Sequence, residues 1–206
     1  MQRKYIYIYF VFIIIFIIIY LLYNFFPGLF PVKNSIFKNI TGSHYILHEF
    51  PVLLPQENNM CAGYSVAYAL NYYGIDIGGK DSYLDMKFNL PYNMGIPPSR
   101  LIKYLNKMGI KTSIYKGDIT NIVSHVAQND PVIVLVGEGW KWQHYMVLVG
   151  YNLEKKELYF YDPERSLTPL NRLYSGNRKI SIDQFKKMWA NKVPLYNHIY
   201  IPIIKN

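Results

Sequence analysis

Residues 5–23, YIYIYFVFIIIFIIIYLLY, contain no charge, no glycine and no proline. A helix of that length matches the ~30 Å hydrocarbon core of a bilayer. Its isoleucine- and tyrosine-rich composition is a poor helix former in water. In lipid, a lone segment must satisfy its own backbone, and helix is the one solution. The run therefore divides the chain into an N-terminal membrane segment and whatever folds after it. A cleaved secretory signal is the competing reading. Its apolar core would be about 7–15 residues, followed by a small-residue cleavage site. Here the run is longer and leads into Asn24-Phe25-Phe26-Pro27, so an uncleaved signal anchor is expected. Arg3, Lys4 and the amino terminus precede the span, whereas Lys33 and Lys38 lie further beyond it. The positive-inside tendency then puts the N-terminus in the cytoplasm and the following domain outside, as a single-pass, extracytoplasmic membrane protein.

The chain carries 22 Lys and Arg against 13 Asp and Glu, a formal net charge of +9. A lysine-rich soluble surface explains this, and attraction to anionic lipid or wall polymer is the functional version. Nucleic acid is not expected as a partner, because no basic cluster resembles a groove-reading element. One cysteine in the chain excludes an intramolecular disulfide, leaving either a buried filler or a reactive thiol.

Beyond the span, residues 24–50 read as a connecting stretch with Pro27, Pro31 and Gly42. From about Cys61 to Tyr73 the chain is apolar nearly all round, which suits a central buried helix, and Gly74 ends it. Pro97-Pro98 opens a second helix running to about Met108, with Leu101, Leu105 and Met108 at helical spacing. A third follows the cap Asp118, with Ile119, Ile122, Val123 and Val126 in one stripe. The pattern then changes to strands. Val132–Val136, Tyr145–Tyr151 and Leu158–Tyr161 are short apolar runs, the last two joined by a polar turn as a hairpin. Ser181 with Gln184 forms a capping-box pattern before Phe185, Met188 and Trp189. His198–Ile204 closes the chain as a strand. Helices followed by a mostly antiparallel sheet define an α+β domain.

Cys61 falls in the first turn of the buried helix, where unpaired N–H groups and the positive helix end favour a thiolate. The same amides suit a developing oxyanion, and Gln56, five residues upstream, carries a neutral amide donor to complete that hole. A thiolate nucleophile needs a base, and the base needs an orienting partner. His144 begins one hairpin strand and Asp162 ends the other. A turn centred near 153–155 sets His144 opposite some residue between about 162 and 166, close enough for an imidazole–carboxylate bond. Pro163 helps to end the strand there.

Gln56…Cys61, the helix ending Leu70-Asn-Tyr-Tyr-Gly74, the strand His144-Tyr-Met-Val-Leu-Val-Gly150 and Tyr161-Asp162-Pro163 together resemble the bacteriocin-processing, double-glycine-type peptidases and their stand-alone relatives. The resemblance covers roughly residues 50–205. It implies a papain-like α+β fold and thiol peptidase activity on a peptide or protein substrate, with Cys61 as nucleophile, His144 as base and acid, Asp162 as orienter and Gln56 as oxyanion donor. It implies no cofactor. The expected organisation is a signal-anchor transmembrane segment at 1–26, a tether at 27–48 and the peptidase domain at 49–206. Two departures stand out. The family commonly has glycine directly after the cysteine, where this chain has Ala62 and then Gly63. Its best-known members are fused to a transporter and act on leader peptides in the cytoplasm, so the double-glycine leader is not carried over as substrate.

Two other readings use the same residues. The triad also supports acyl transfer to an amine or thiol, as in transglutaminase-like enzymes. Ala62 is the support for a catalytically silent binding or immunity module. His44 and His48 are four apart but lack a third ligand, so no metal site is expected. His125 and His198 read as surface or packing residues. Trp140 and Trp142 could wall a cleft or fill a core.

Overall fold

The computed structural model describes residues 2–25, 33–34, 40, 42–47, 51, 54–87, 95–139, 141–164, 176–193 and 196–204; within the first stretch, the side chains described are 5–20 and 22. Helix α1 spans Gln2–Phe25. The apolar side chains of residues 5–20 are exposed, from 38% at Val11 to 73% at Tyr7. Among the described residues no helix is long and apolar enough to cross a membrane, against the spanning anchor expected from the sequence.

The rest is α+β, as expected. Its strands are β1 (Lys33–Asn34), β2 (His44–Ile46), β3 (Tyr115–Lys116), β4 (Val132–Gly137), β5 (Gln143–Asn152), β6 (Glu157–Tyr161), β7 (Arg178–Ser181) and β8 (Ile199–Pro202). They form one sheet in the order β1-β3-β8-β4-β5-β6-β7, with β2 paired to the far end of β5. All pairings are antiparallel except β1 with β3. The strand β2 lies in the stretch expected to be a tether, so the sheet begins before residue 49.

Helices α2 (Cys61–Tyr72), α5 (Ile119–Val126) and α6 (Ile182–Trp189) pack on the sheet, and α3 (Gly79–Lys87) and α4 (Pro98–Lys107) pack against α2. Every residue of β4 is buried, as is β5 from His144 to Tyr151. That double-sided burial explains why these strands read as continuous apolar runs rather than alternating ones. Tyr161 stacks on Tyr68 of α2 with ring centroids 4.2 Å apart. Its neighbour Phe160 packs against Phe185 of α6 at 5.1 Å. Successive strand residues point to opposite faces, so α2 and α6 lie on opposite sides of the sheet.

The start signals read from the sequence do what their chemistry requires. The Asp118 side chain accepts from Asn121 N–H while the Asn121 side chain accepts from Asp118 N–H, closing a reciprocal capping box on α5. Ser181 accepts from Gln184 N–H at the start of α6. Helix α2 differs, because Met60 makes no side-chain cap.

Gly63 accounts for the glycine one place after Ala62. A Cβ at Gly63 would overlap the Gly79 carbonyl and the Tyr83 backbone, and one at Gly79 would overlap the Tyr64 ring. The pair lets α2 and α3 approach backbone to backbone. Glycine inside a helix normally costs ~1 kcal/mol against alanine, but here the missing Cβ is what permits the packing. Gly63→Ala is expected to destabilise the fold by about 1–3 kcal/mol, the range for overpacked sites, read as a lowered urea midpoint. A raised midpoint would mean that the two helices can separate without loss.

Candidate active site

Four contacts bring Cys61, His144 and the end of β6 into one region. Cys61 is the first residue of α2 and is partly exposed. One turn later, Ser65 Oγ donates to the Tyr145 carbonyl at 3.2 Å, fixing α2 to β5 beside His144. The Tyr68–Tyr161 stack fixes the same helix to β6 immediately before Asp162. The loop before α2 is tied to the same place: Tyr161 Oη donates to the Leu54 carbonyl at 2.6 Å, and Gln56 N–H donates to the Pro163 carbonyl at 2.9 Å. Gln56 therefore sits beside the strand end that carries Asp162, and its Oε1 is buried with no hydrogen-bond partner.

His144 and Asp162 meet directly. His144 Nε2 lies 2.7 Å from Asp162 Oδ1, with side-chain exposures of 8% and 1%. That leaves Nδ1 as the ring nitrogen for other partners, and Glu164 Oε2 lies 3.8 Å from it. Burial disfavours the charged imidazolium, but hydrogen bonds to Asp162 and Cys61 and the negative charge of both outweigh it, and the His144 pKa is pushed up to about 9. Burial likewise opposes ionisation of Asp162. Its bonds to His144, the Glu164 N–H and Arg178 prevail and hold the carboxyl below the usual range.

The bond depends on an irregularity in the hairpin. Near the turn β5 pairs with β6 as Asn152↔Glu157, Tyr151↔Leu158 and Gly150↔Tyr159; beyond it the register slips, to Leu148↔Phe160 and Val147↔Tyr161. Continued without the slip, the ladder would set Asp162 opposite Val147, whose side chain points to the other face from His144. With the slip, Asp162 faces Met146, on the His144 side. A one-residue shift exchanges the faces of a strand, and the bulge at Val149 supplies it. Gly150 beside it has no space for a side chain, since a Cβ would lie 2.9 Å from Ile46 Cγ1 and 3.0 Å from the Tyr45 carbonyl.

Residues that gave no motif in the sequence complete the surroundings. Arg178 Nη1 donates to Asp162 Oδ2 at 2.7 Å. The Asn177 side chain accepts from Asp162 N–H at 2.7 Å and donates to the Asp162 carbonyl at 2.8 Å. Only the fold reveals them, since both come from β7 and the residue before it, and a short polar strand carries no local mark of its partner. Trp142 is 42% exposed near His144, while Trp140 and His48 fall outside the described residues. His44 stands edge-on to Tyr159. His125, expected at a surface or in packing, is buried and lies 3.4 Å from Asp130. An open depression lined by Leu54, Asn71, Gly74, Asp76, Ile77 and Gly78 lies at the opposite, C-terminal end of α2 from Cys61.

A helix beginning at the chain's one cysteine, packed on an antiparallel sheet whose adjoining strands bring a histidine to an aspartate, is the layout of a papain-like cysteine peptidase. The family model of the Peptidase_C39 like family matches residues 48–194, and the chain belongs to that family. No curated protein matches the chain significantly. Solved structures share the fold. The peptidase domain of Streptococcus ComA, a bi-functional ABC transporter of a quorum-sensing pathway, is 22% identical with a TM-score of 0.55, covering 74% of this chain and 98% of that one. A double glycine motif protease from an AMS/PCAT transporter, solved with its leader peptide, is 18% identical with a TM-score of 0.51, covering 76% and 93%. Xylellain, a cysteine protease from Xylella fastidiosa, is 11% identical with a TM-score of 0.54, covering 80% and 87%.

The raised His144 pKa links the site to stability. A folded pKa above the unfolded one stabilises the fold fully below the unfolded value of 6.5 and loses that contribution as pH rises through about 9. Urea unfolding of the wild type is expected to weaken between pH 6.5 and 9.5 by an amount on the order of a few kcal/mol, and His144→Ala should flatten most of that slope. Parallel slopes in the two proteins would show that His144 is not the group responsible.

Proposed function

We propose that the chain is a membrane-anchored thiol peptidase in which Cys61, His144, Asp162 and Gln56 carry the reaction. The observation that supports this most is the buried His144 Nε2–Asp162 Oδ1 bond of 2.7 Å, which leaves Nδ1 for the Cys61 thiol. The Cys61 sulfur, as thiolate, bonds to a peptide carbonyl carbon while the carbonyl π pair moves onto oxygen. The first-turn amides of α2 are not capped by a side chain and stabilise that oxyanion, with the Gln56 amide completing the hole. Collapse breaks the C–N bond, and the leaving amine takes the proton from His144. Water then attacks the thioester, giving its proton to His144 and releasing the acid and the thiolate. Asp162 keeps the imidazole oriented throughout and stabilises its charged form.

A peptide substrate accords with the leader peptide bound by the AMS/PCAT-type protease. The anchor reading rests on the uncharged run 5–23 and on a helix over it whose apolar side chains are exposed on every side. Lipid is the surrounding such a helix suits, and the basic residues before it favour an outside domain. Residues 1–26 serve as the anchor, and the peptidase domain follows it with β2 (His44–Ile46) already part of its sheet.

With a peptide library as substrate, Cys61→Ala is expected to abolish cleavage while leaving the circular dichroism spectrum unchanged. Gln56→Ala should lower kcat by about 10²–10³, as for other single oxyanion donors. Unaltered turnover in Cys61→Ala would reject the peptidase reading, and a transferred acyl group in place of two fragments would convert it to acyl transfer. Deleting residues 1–26 should release the protein from the membrane pellet to the supernatant, and retention in the pellet would reject the anchor.

A further inference from the structure

We infer that Asn177 and Arg178 form a two-part clamp that positions Asp162 and, through its charge, sets the pH range over which the cysteine–histidine pair works. This rests on the assignment of Cys61, His144 and Asp162 made above.

Asp162 stands one residue beyond the end of β6, where the β6–β7 ladder has stopped: its last pair is Phe160↔Arg178. Asn177 N–H still reaches the Phe160 carbonyl at 3.0 Å. From there the Asn177 side chain takes over, binding both the N–H and the carbonyl of Asp162. An amide side chain thus imitates one further rung of the sheet and holds the Asp162 backbone where the ladder has ended. The carboxylate is held separately. Oδ1 accepts from His144 and from Glu164 N–H, while Oδ2 accepts from Arg178. With Oδ2 taken by a guanidinium, the carboxylate cannot rotate away from the imidazole without breaking a charge-assisted bond in a buried place.

The two halves differ in kind. Asn177 is neutral and contributes geometry alone. Arg178 adds a fixed positive charge, so its removal must move every nearby titration to higher pH. Among the described residues, the charged and titratable groups around the pair are Cys61 on α2, Glu164 after β6, Arg178 on β7, and Tyr161 at the end of β6. Arg178 is the one permanent cation among these. A purely architectural arginine would slow the reaction without shifting its pH dependence.

The test uses the whole chain in detergent. Cys61 is its one cysteine, so iodoacetamide labelling reports on that site without knowledge of the substrate. Rates are measured from pH 4 to 10 for the wild type, H144A, R178M, R178K and N177A. The wild type should label in a His144-dependent way, and H144A should lose that reactivity. R178M should shift the acid limb upward by about half a pH unit or more, and R178K should restore it. N177A should lower the plateau rate several-fold with no shift. R178M and wild-type limbs that superimpose, in proteins that both retain His144-dependent labelling, would overturn the clamp alone. A wild type lacking His144-dependent reactivity would overturn the catalytic assignment and the clamp with it.

Discussion

Asp162 is fully buried and ionised, and much of the domain can be understood as what such a charge demands. An unpaired carboxylate at that depth would protonate or drag water inward. Here its oxygens are occupied by an imidazole, a guanidinium and a backbone amide. Supplying those partners requires β5, β6 and β7 to lie side by side at one register, and the segment after β6 to turn back over the carboxylate. The same turn offers the Pro163 carbonyl to Gln56, so the loop leading into α2 is referenced to the charge as well. Cys61 follows as the first residue of the helix that this loop starts.

Helix α2 is the second fixed element, and its N-terminus contrasts with those of α5 and α6. These begin with Asp118 and Ser181, whose side chains occupy the first-turn amides. Helix α2 begins with Met60, which cannot do so. A buried helix with free amides at its tip carries a local cost. That cost is accepted where an incoming anion is to be met, and the helix is held in place from elsewhere: by Ser65 on β5, Tyr68 on β6 and the close glycine approach to α3.

The sequence made the parts of this arrangement visible that are encoded locally. The apolar run from Ala62 to Leu70, the proline start of α4, the Asp118 cap and the paired strands around the 153–156 turn all carry their signals within a few residues. Cys61, His144 and Asp162 were singled out at or beside element ends, and Gln56 in the loop before α2. Helix α3 was not anticipated, because Tyr83 and Met86 are its only large buried side chains and no apolar stripe results. Strand β7 buries Ile180 alone among its four residues, too little for an alternation to be recognised. The pairing of Asn177 and Arg178 with Asp162 joins positions 15 and 16 residues apart through a ladder that no local pattern specifies. Strand β2 lay hidden in a stretch whose prolines and polar residues resemble a linker.

The bulge at Val149 divides the hairpin into two stretches of different register. Residues 153–156 form the turn, which is tied down in its own right: Leu153 N–H donates to the Ser43 carbonyl and the Lys156 carbonyl accepts from Ile182 N–H. The count that matters lies instead between Gly150 and His144, where one residue is left over. Forcing it into the ladder would set Asp162 opposite Val147 and carry His144 to the other side of the sheet, however intact the individual side chains. Whether the imidazole meets the carboxylate thus turns on whether one strand residue stays outside the ladder, a two-valued property rather than a graded one.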